Sequence, residues 1–367
     1  MFYRFAAILV GLVFFTLGSV QGATIKILHS GLSHPWSLAF LPDGGFLITE
    51  KSGALVRLDS TGEIRTDIAN VPNVYFASQG GLLDIALHPN FEANGLVYLS
   101  YAHGTPAANS TRVARGELVG DRLEAVEVLF SVTPTKDTPV HYGGRLLFLP
   151  DMTFLVTTGD GFNYREQAQD LTSLLGKVVR LNDDGSIPID NPFMGTDGVR
   201  PEIFTYGHRN PQGLSFDTKT SEIVLHEHGP RGGDEINILV PGANYGWPAV
   251  TFGIDYSGAV ISPFTEAPGM TQPRLHWTPS IAPSGLTVIR NSNWPDEWQG
   301  DYLVGALAKR HLRRVDMFNG RIIKQVELLK GLATRLRDVR LHNDDSVYIL
   351  TDGENGQLIS IKYDELR

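Results

Sequence analysis

Short apolar runs recur along this chain in pairs, and a polar turn separates the two members of each pair. The clearest copy has an apolar run at Trp36–Phe40, a Pro-Asp-Gly-Gly turn, and a second run at Phe46–Glu50. Turn residues between two β-rich runs are typical of β-hairpins. Related copies lie at residues 144–158 and 338–351. The pattern predicts an antiparallel β protein, and no long amphipathic helical period argues for alternating strands and helices.

Six second runs of this kind occur, and their spacing indicates the architecture. They begin at residues 46, 97, 154, 223, 302 and 347. Each interval is long enough for a four-stranded unit with its loops. We therefore predict an all-β fold, a six-bladed β-propeller with four-stranded antiparallel blades, over residues 23–367. An irregular β-sandwich in which the segments resemble each other by chance is the alternative.

Composition and charge narrow the functions that such a fold could serve. Glycine accounts for 39 of 367 residues, which fits a turn-rich β protein. The net charge of −9 makes the chain a poor candidate for binding nucleic acid. The sequence has no cysteine, which excludes disulfides, thiolate metal sites and cysteine nucleophiles. It also lacks the Walker A, GxGxxG and GxSxG motifs, so enzymes built on those motifs lose support.

Residues 1–22, MFYRFAAILVGLVFFTLGSVQG, have the layout of a secretory signal peptide. Arg4 supplies a positive charge, Ala6–Gly18 is uncharged and mainly apolar, and the segment ends in small residues. We expect cleavage there and a periplasmic or secreted mature protein without a membrane span. The alternative is an uncleaved anchor, although the uncharged stretch 5–21 is short for a span of ~20 residues.

A short polar cluster precedes each first strand of the predicted blades. Equivalent positions in a propeller lie on one rim around the axis, so these clusters should converge on a common funnel. Their polar members include Gln79, His141, Arg209, Asn210, Arg335 and Arg337. Several arginines in one concave site indicate an anionic ligand, because guanidinium groups pair with carboxylates and phosphates. Alternatively, the arginines bridge blades through acidic residues, and Asp338 would then be a partner for Arg337.

Two further features carry candidate chemistry. His141 lies on the predicted rim, and histidine has an ordinary pKa of ~6.5, which suits a general base near neutrality. The segment His226–Glu235, HEHGPRGGDE, places two histidines at alternate positions. They allow a zinc site, but the sequence implies no third ligand. The carbonyl and carboxylate oxygens of the same segment suit calcium better.

These motifs make the chain resemble the soluble sugar dehydrogenases of the glucose/sorbosone dehydrogenase family, which depend on pyrroloquinoline quinone (PQQ). It is most similar to the bacterial periplasmic aldose sugar dehydrogenases within that family. The resemblance extends over about residues 25–365, and its family fold is a six-bladed propeller. The motifs that carry it include Gly80–Leu83, His141–Arg145, Gly176–Leu181, Gly207–Gly213, Glu227–Asn237, Asn244–Pro248 and Arg335–Asp338.

The resemblance implies a role for each site residue. His141 would be the general base, Gln79 would lie beside it, and Asp160 would orient it. The carbonyl groups of Gly229 and Pro230 would bind the catalytic calcium. The residues implied for PQQ binding are Arg209, Asn210, Lys309, Arg335 and Arg337, and those implied for a second calcium are Glu235, Tyr245 and Asp255.

The function implied by the resemblance is oxidation of aldose sugars at C1 to lactones. His141 would take the hydroxyl proton while hydride passes to calcium-polarised PQQ, and an unidentified acceptor would receive the electrons. We expect a monomer that binds no nucleic acid. One alternative is a calcium-dependent propeller lactonase or hydrolase, which would need acidic metal ligands rather than several cations. The other is a non-catalytic carbohydrate-binding propeller, which would not need His141, Gln79 and the arginines together.

Overall fold

Six four-stranded antiparallel sheets make up the part of the chain that the structure, a computed structural model, describes: residues 25–366. The described chain begins with β1 (Lys26–Leu32). The first blade contains β2 (Pro35–Phe40), β3 (Phe46–Glu50), β4 (Leu55–Leu58) and β5 (Arg65–Ile68). The second contains β6 (Leu82–Leu87), β7 (Leu96–Thr105), β8 (Ala108–Val119) and β9 (Arg122–Ser131). The third contains β10 (Gly143–Phe148), β11 (Phe154–Thr158), β12 (Lys177–Leu181) and β13 (Ile203–Tyr206).

The remaining blades follow the same order. The fourth contains β14 (Pro211–Phe216), β15 (Ile223–Glu227), β16 (Asp234–Ile238) and β17 (Leu275–Trp277). The fifth contains β18 (Pro283–Val288), β19 (Tyr302–Ala306), β20 (Leu312–Phe318) and β21 (Arg321–Leu328). The sixth contains β22 (Leu336–Leu341), β23 (Ser346–Thr351) and β24 (Gly356–Lys362). Short helices lie at Phe91–Asn94, Arg165–Ala168, Asp296–Trp298, Lys330–Leu332 and Tyr363–Glu365.

Strand β1 is the fourth strand of the sixth blade and closes the ring. It pairs antiparallel with β24, and Lys26 lies opposite Ser360. The first strand of each blade packs against the first strands of the blades on either side, so these six strands surround the axis. The closed ring joins the N-terminal strand to the last blade and leaves each inner strand covered on both sides.

The apolar core lies between neighbouring blades rather than at the axis. All five residues of β11 are buried, because adjacent sheets cover both faces of this strand. Between the second and third blades, the core contains Tyr98, Val113, Phe154 and Val156, all of which are fully inaccessible. Each such side chain contributes roughly 1.5–3 kcal/mol through burial, so the interfaces between blades hold the ring together.

The axis itself holds a buried network of ion pairs. Arg145 lies 3.3 Å from Asp84 and 3.1 Å from Asp338, which joins the second, third and sixth blades. Arg340 adds contacts of 3.2 Å to Asp84 and 2.9 Å to Asp338. Asp338 is therefore a partner of Arg145 and Arg340. The alternative in which Asp338 is a partner for Arg337 is therefore not the arrangement of the structure.

The fold prediction is confirmed. The second strands begin at residues 46, 96, 154, 223, 302 and 346, within one residue of the predicted starts. In residues 25–366, no helix is long and apolar enough to cross a membrane. The predicted signal peptide, residues 1–22, lies outside the described residues, and its cleavage stays a prediction.

Candidate active site

The loops that enter the first strands meet at one end of the axis, as the sequence predicted. They enclose a cavity of about 160 Å³, which we call the axial funnel. Its lining includes Lys51, Gln79, Asn210, His228, Arg335 and Arg337. These residues come from loops that are up to 286 positions apart in the chain, and propeller closure brings them together.

His141 is buried beside the funnel in a fixed orientation. Its backbone N–H donates a hydrogen bond of 2.8 Å to the side-chain oxygen of Gln79, which lines the funnel. Its Nδ1 lies 2.7 Å from Oδ1 of Asp160. A carboxylate at this distance accepts the Nδ1 proton, so Nε2 carries the free lone pair. The other oxygen of Asp160 accepts 2.8 Å from the indole N–H of Trp247.

Electrostatics leave His141 neutral and Asp160 ionised near neutral pH. Burial lowers the pKa of His141, and the charge of Arg209 lowers it further, against the opposing hydrogen bond to Asp160. Burial would raise the pKa of Asp160, but its hydrogen bond with His141 and the charge of Arg209 hold the pKa below its ordinary value. A neutral imidazole held by a carboxylate is the arrangement that a general base requires.

The far side of the funnel carries an excess of positive charge. Asp352 pairs with Arg335 at 2.7 Å and with Arg337 at 3.0 Å. Lys51 lies near these groups, and burial together with the charge of Arg337 lowers its pKa. Asp352 thus pairs with two arginines and acts on Lys51 only through its charge, and this excess of basic groups suits an anionic ligand. These pairs with Asp352 also agree in part with the alternative from the sequence, in which the arginines bind acidic residues of the scaffold.

Asn210 lines the funnel, whereas its neighbour Arg209 borders two further cavities. The guanidinium of Arg209 donates a hydrogen bond of 2.6 Å to the Gly229 carbonyl and one of 3.1 Å to the His228 carbonyl. Asn210 accepts 3.1 Å from the backbone N–H of Gly143. Lys309 differs from both, because it is exposed in the turn after β19 and lines neither the funnel nor the two cavities that Arg209 borders.

The predicted calcium ligands do not all meet. Gly229, Glu235 and Tyr245 line one small buried cavity next to Arg209. Asp255 instead lines a separate cavity of about 260 Å³ together with Pro230, and lies 3.9 Å from Arg165. The hydroxyl of Tyr245 donates a hydrogen bond of 2.6 Å to the Ile238 carbonyl and accepts one of 2.9 Å from the Val240 N–H. Both hydrogen bonds are within the protein.

The chemistry of the remaining donors nevertheless fits a hard cation. Burial and the nearby carboxylate of Glu227 raise the pKa of Glu235 to about 8, so two acidic side chains lie close together in this cavity. Carbonyl and carboxylate oxygens are the ligands that calcium prefers. In the described part of the chain, no three His, Cys, Asp or Glu side chains group as a metal site. His228 bonds through Nε2 to the Pro283 carbonyl, which leaves the zinc alternative without support.

Several residues of the site escaped the sequence analysis. Trp247 holds Asp160 and lies within the Asn244–Pro248 motif, so that motif was the available signal. The ring of Phe162 packs edge-on against His141 at 5.2 Å between centres. Lys51 and Asp352 follow second strands rather than preceding first strands, and the search for clusters before first strands did not reach them.

Comparison with known proteins assigns the family. The model for the family described as Glucose / Sorbosone dehydrogenase matches residues 32–360. Aldose sugar dehydrogenase YliI of Escherichia coli K12 is 38% identical over 343 residues, which cover 92% of this chain and 92% of that protein. Quinoprotein glucose dehydrogenase B of Acinetobacter calcoaceticus is 34% identical over 300 residues, which cover 73% of this chain and 61% of that protein.

A solved structure agrees with these relatives. The PQQ-bound aldose sugar dehydrogenase of Streptomyces coelicolor superposes with a TM-score of 0.75 at 27% identity, and the match covers 92% of this chain and 98% of that one. The match therefore extends over the whole propeller rather than over a few blades. The chain belongs to the glucose/sorbosone dehydrogenase family, a family of oxidoreductases, as its sequence motifs predicted.

Proposed function

We propose that this protein oxidises aldose sugars at C1 to lactones with PQQ as its cofactor. The observation that carries the proposal is the excess of basic groups in the axial funnel, where Arg335 and Arg337 share the carboxylate of Asp352 and Lys51 lies near them. PQQ carries three carboxylates, and charge-assisted hydrogen bonds to such groups are strong. Gln79 connects this positive region to His141, so the cofactor and the base would lie side by side.

The chain offers groups for both the cofactor and calcium. Lys51, Asn210, Arg335 and Arg337 would hold PQQ, which when bound supplies the two-electron acceptor for the hydride of C1. The carbonyl oxygens of Gly229 and Pro230 would hold calcium as a Lewis acid. The Gly229 carbonyl accepts a hydrogen bond from Arg209, so calcium would share this oxygen with the guanidinium or displace it.

His141 performs the proton transfer in this proposal. Its Nε2 accepts the proton of the C1 hydroxyl, because Nδ1 is already occupied by Asp160. Asp160 then stabilises the imidazolium that forms, and Trp247 and the Phe162 N–H keep the carboxylate in place. Gln79 fixes the backbone of His141, and Arg209 favours the neutral base before reaction. Loss of hydride from C1 then gives the lactone.

The experiment is a comparison of His141→Ala with wild type in the presence of PQQ and Ca²⁺. We expect PQQ binding to be retained and aldose-dependent dye reduction to fall by roughly 10²–10⁴-fold, the value of a general base. His29→Ala is the control, since His29 lies in the outer strand β1, where its side chain bonds to the Gly62 carbonyl, and should leave the rate unchanged. A near-normal kcat in His141→Ala would remove His141 from the mechanism.

The same assay separates the alternatives. A hydrolase would release product from lactones without any dye reduction, and a carbohydrate-binding propeller would bind sugar without turnover. Wild-type protein that binds PQQ but reduces no dye with any aldose would contradict the proposed function.

A further inference from the structure

Lys136 is a buried lysine next to the His141–Asp160 pair, and the proposed mechanism does not use it. The side chain is only 2% exposed and lies in the segment between β9 and β10. Its ammonium donates hydrogen bonds of 2.9 Å to the side-chain oxygen of Asn109 and 2.5 Å to the Thr138 carbonyl. The ammonium also lies 3.5 Å from the centre of the Tyr142 ring. All three partners are uncharged. Within residues 25–366, Lys136 forms no ion pair.

The surroundings of Lys136 brace both turns that carry the catalytic pair. Its aliphatic stem packs against Gly161, where an added Cβ would lie 2.6 Å from Cδ of the lysine. Gly161 follows Asp160 directly, and its carbonyl accepts 2.6 Å from the Thr138 hydroxyl. On the other side, Tyr142 follows His141 and donates 2.6 Å to the same Asn109 oxygen that Lys136 binds. A larger residue at position 161 would therefore disturb this packing.

The charge of Lys136 also acts on the catalytic pair. Burial lowers the pKa of Lys136 to about 7, and Asp160 is the carboxylate that most opposes this effect. Below pH 7 the lysine is therefore mainly charged, in the range where His141 would take up a proton. The charged and titratable groups that face His141 are Asp160, which favours its protonation, and Arg209, Lys136 and His228, which oppose it.

We propose that Lys136 is a positioning residue that braces the His141 and Asp160 turns and places a buried positive charge behind the pair. The charge keeps His141 unprotonated, and therefore active as a base, at lower pH than Asp160 alone would allow. The purpose assigned to this charge rests on the proposed function. The charge effect itself can be measured without any turnover.

The test is a titration of His141 by NMR in apo-protein, with the His141 signal assigned from the His141→Ala spectrum. Lys136→Met keeps the aliphatic stem and removes the charge, so we expect His141 to titrate at higher pH than in wild type. Asn109→Asp keeps the lysine and neutralises it with a carboxylate, and we expect a shift in the same direction. If Lys136→Met does not fold, the His141 titration in Asn109→Asp tests the proposal.

Lys177→Met is a matched control. Lys177 is also fully buried with a pKa lowered to about 7 by burial, and its ammonium donates to the carbonyls of Gln167, Ala168 and Leu175. It is not among the groups that act on His141. We expect this variant to lose stability without moving the His141 titration.

The pH profile of sugar oxidation supplies a second readout. In Lys136→Met the acid limb of kcat/KM should move to higher pH, parallel to the NMR titration. A role in bracing alone would lower the rate equally at every pH and leave the titration in place, and that result would overturn the proposal. If wild type oxidises no sugar while the NMR shift is present, the proposed function fails and the charge effect of Lys136 stands.

Discussion

At the scale of single residues, Arg335 and Arg337 differ in burial although both pair with Asp352. From the sequence alone, the two arginines had the same expected role. Arg335 is 46% exposed and Arg337 only 11% exposed, although both bind the same carboxylate. Exposed ion pairs contribute little to stability, whereas breaking a buried one leaves an uncompensated charge. Arg335 is therefore the better probe of the proposed ligand binding, whereas loss of Arg337 should affect both ligand binding and the stability of the fold.

We predict that Arg335→Ala weakens PQQ binding with little change in apo-protein melting. Loss of one charge-assisted contact of roughly 1.5–3 kcal/mol corresponds to about 10- to 150-fold in affinity. PQQ titration beside apo-protein melting curves measures both quantities. Arg122→Ala, which removes an exposed arginine paired with Glu124, is the control and should change neither. A large loss of melting temperature with unchanged PQQ affinity would place Arg335 in the scaffold.

The partner of these arginines illustrates what the sequence can and cannot predict about the site. Asp338 is adjacent to Arg337 in sequence, but it shares a strand face with Arg340 and binds that residue instead. Asp352 reaches Arg335 and Arg337 because β22 and β23 pair as a hairpin, with Leu336 opposite Thr351. The repeat in the sequence predicted which residues lie on the rim of the funnel. Their side-chain partners depend on the register between paired strands, which the sequence does not specify.

At the scale of elements, a pair of residues joins two blades at the end of the first strands opposite the funnel. Asp217 follows β14 and Arg290 follows β18, and two hydrogen bonds of 2.6 Å connect them. Burial would raise the pKa of Asp217, but Arg290 and local hydrogen bonds hold it at about 2. A folded-state pKa below the unfolded value stabilises the protein above pH ~4, and this stabilisation disappears as the pH falls through about 2.

We predict that Asp217→Asn lowers the free energy of unfolding by about 1 kcal/mol at pH 7 and leaves PQQ affinity unchanged. The gap between variant and wild type should shrink as the pH falls from 4 towards 2. Denaturant unfolding at several pH values measures this difference. Asp43→Asn serves as the control, since Asp43 is 55% exposed and joins no two blades. A gap that does not change with pH would show that the charge of Asp217 is not responsible.

The sequence predicted the hairpins of the blades better than it predicted strand β1 and the long connection between β16 and β17. The six hairpins carry local signals, namely turn residues between β-rich runs, and the starts of their second strands were predicted within one residue. Strand β1 carries no such signal for its partner, because Lys26 pairs with Ser360 across almost the whole chain. The long connection between β16 and β17 places Tyr245 and Asp255 in different cavities, and no periodicity in it indicates this division.

At the scale of the whole molecule, calcium should bind to the folded ring and stabilise it. A ligand at 100 times its Kd stabilises the native state by about 2.7 kcal/mol if it does not bind the unfolded chain. The oxygen donors around Glu235 and Gly229 motivate this expectation. We predict that chelation abolishes activity and lowers the melting temperature of the holoenzyme, and that Ca²⁺ but not Zn²⁺ restores both.

Two carboxylate variants locate that stabilising calcium. Glu235 is mainly protonated in the apo-protein at neutral pH, because its pKa is about 8, so Glu235→Gln should melt no earlier than wild type while the Ca²⁺-induced rise in melting temperature diminishes. Asp255→Asn should keep that rise, because Asp255 lies in the neighbouring cavity beside Arg165. Melting curves of the three apo-proteins with and without Ca²⁺ measure the difference. If Asp255→Asn loses the rise and Glu235→Gln keeps it, the ion binds at the mouth of the Asp255 cavity rather than between the buried acids.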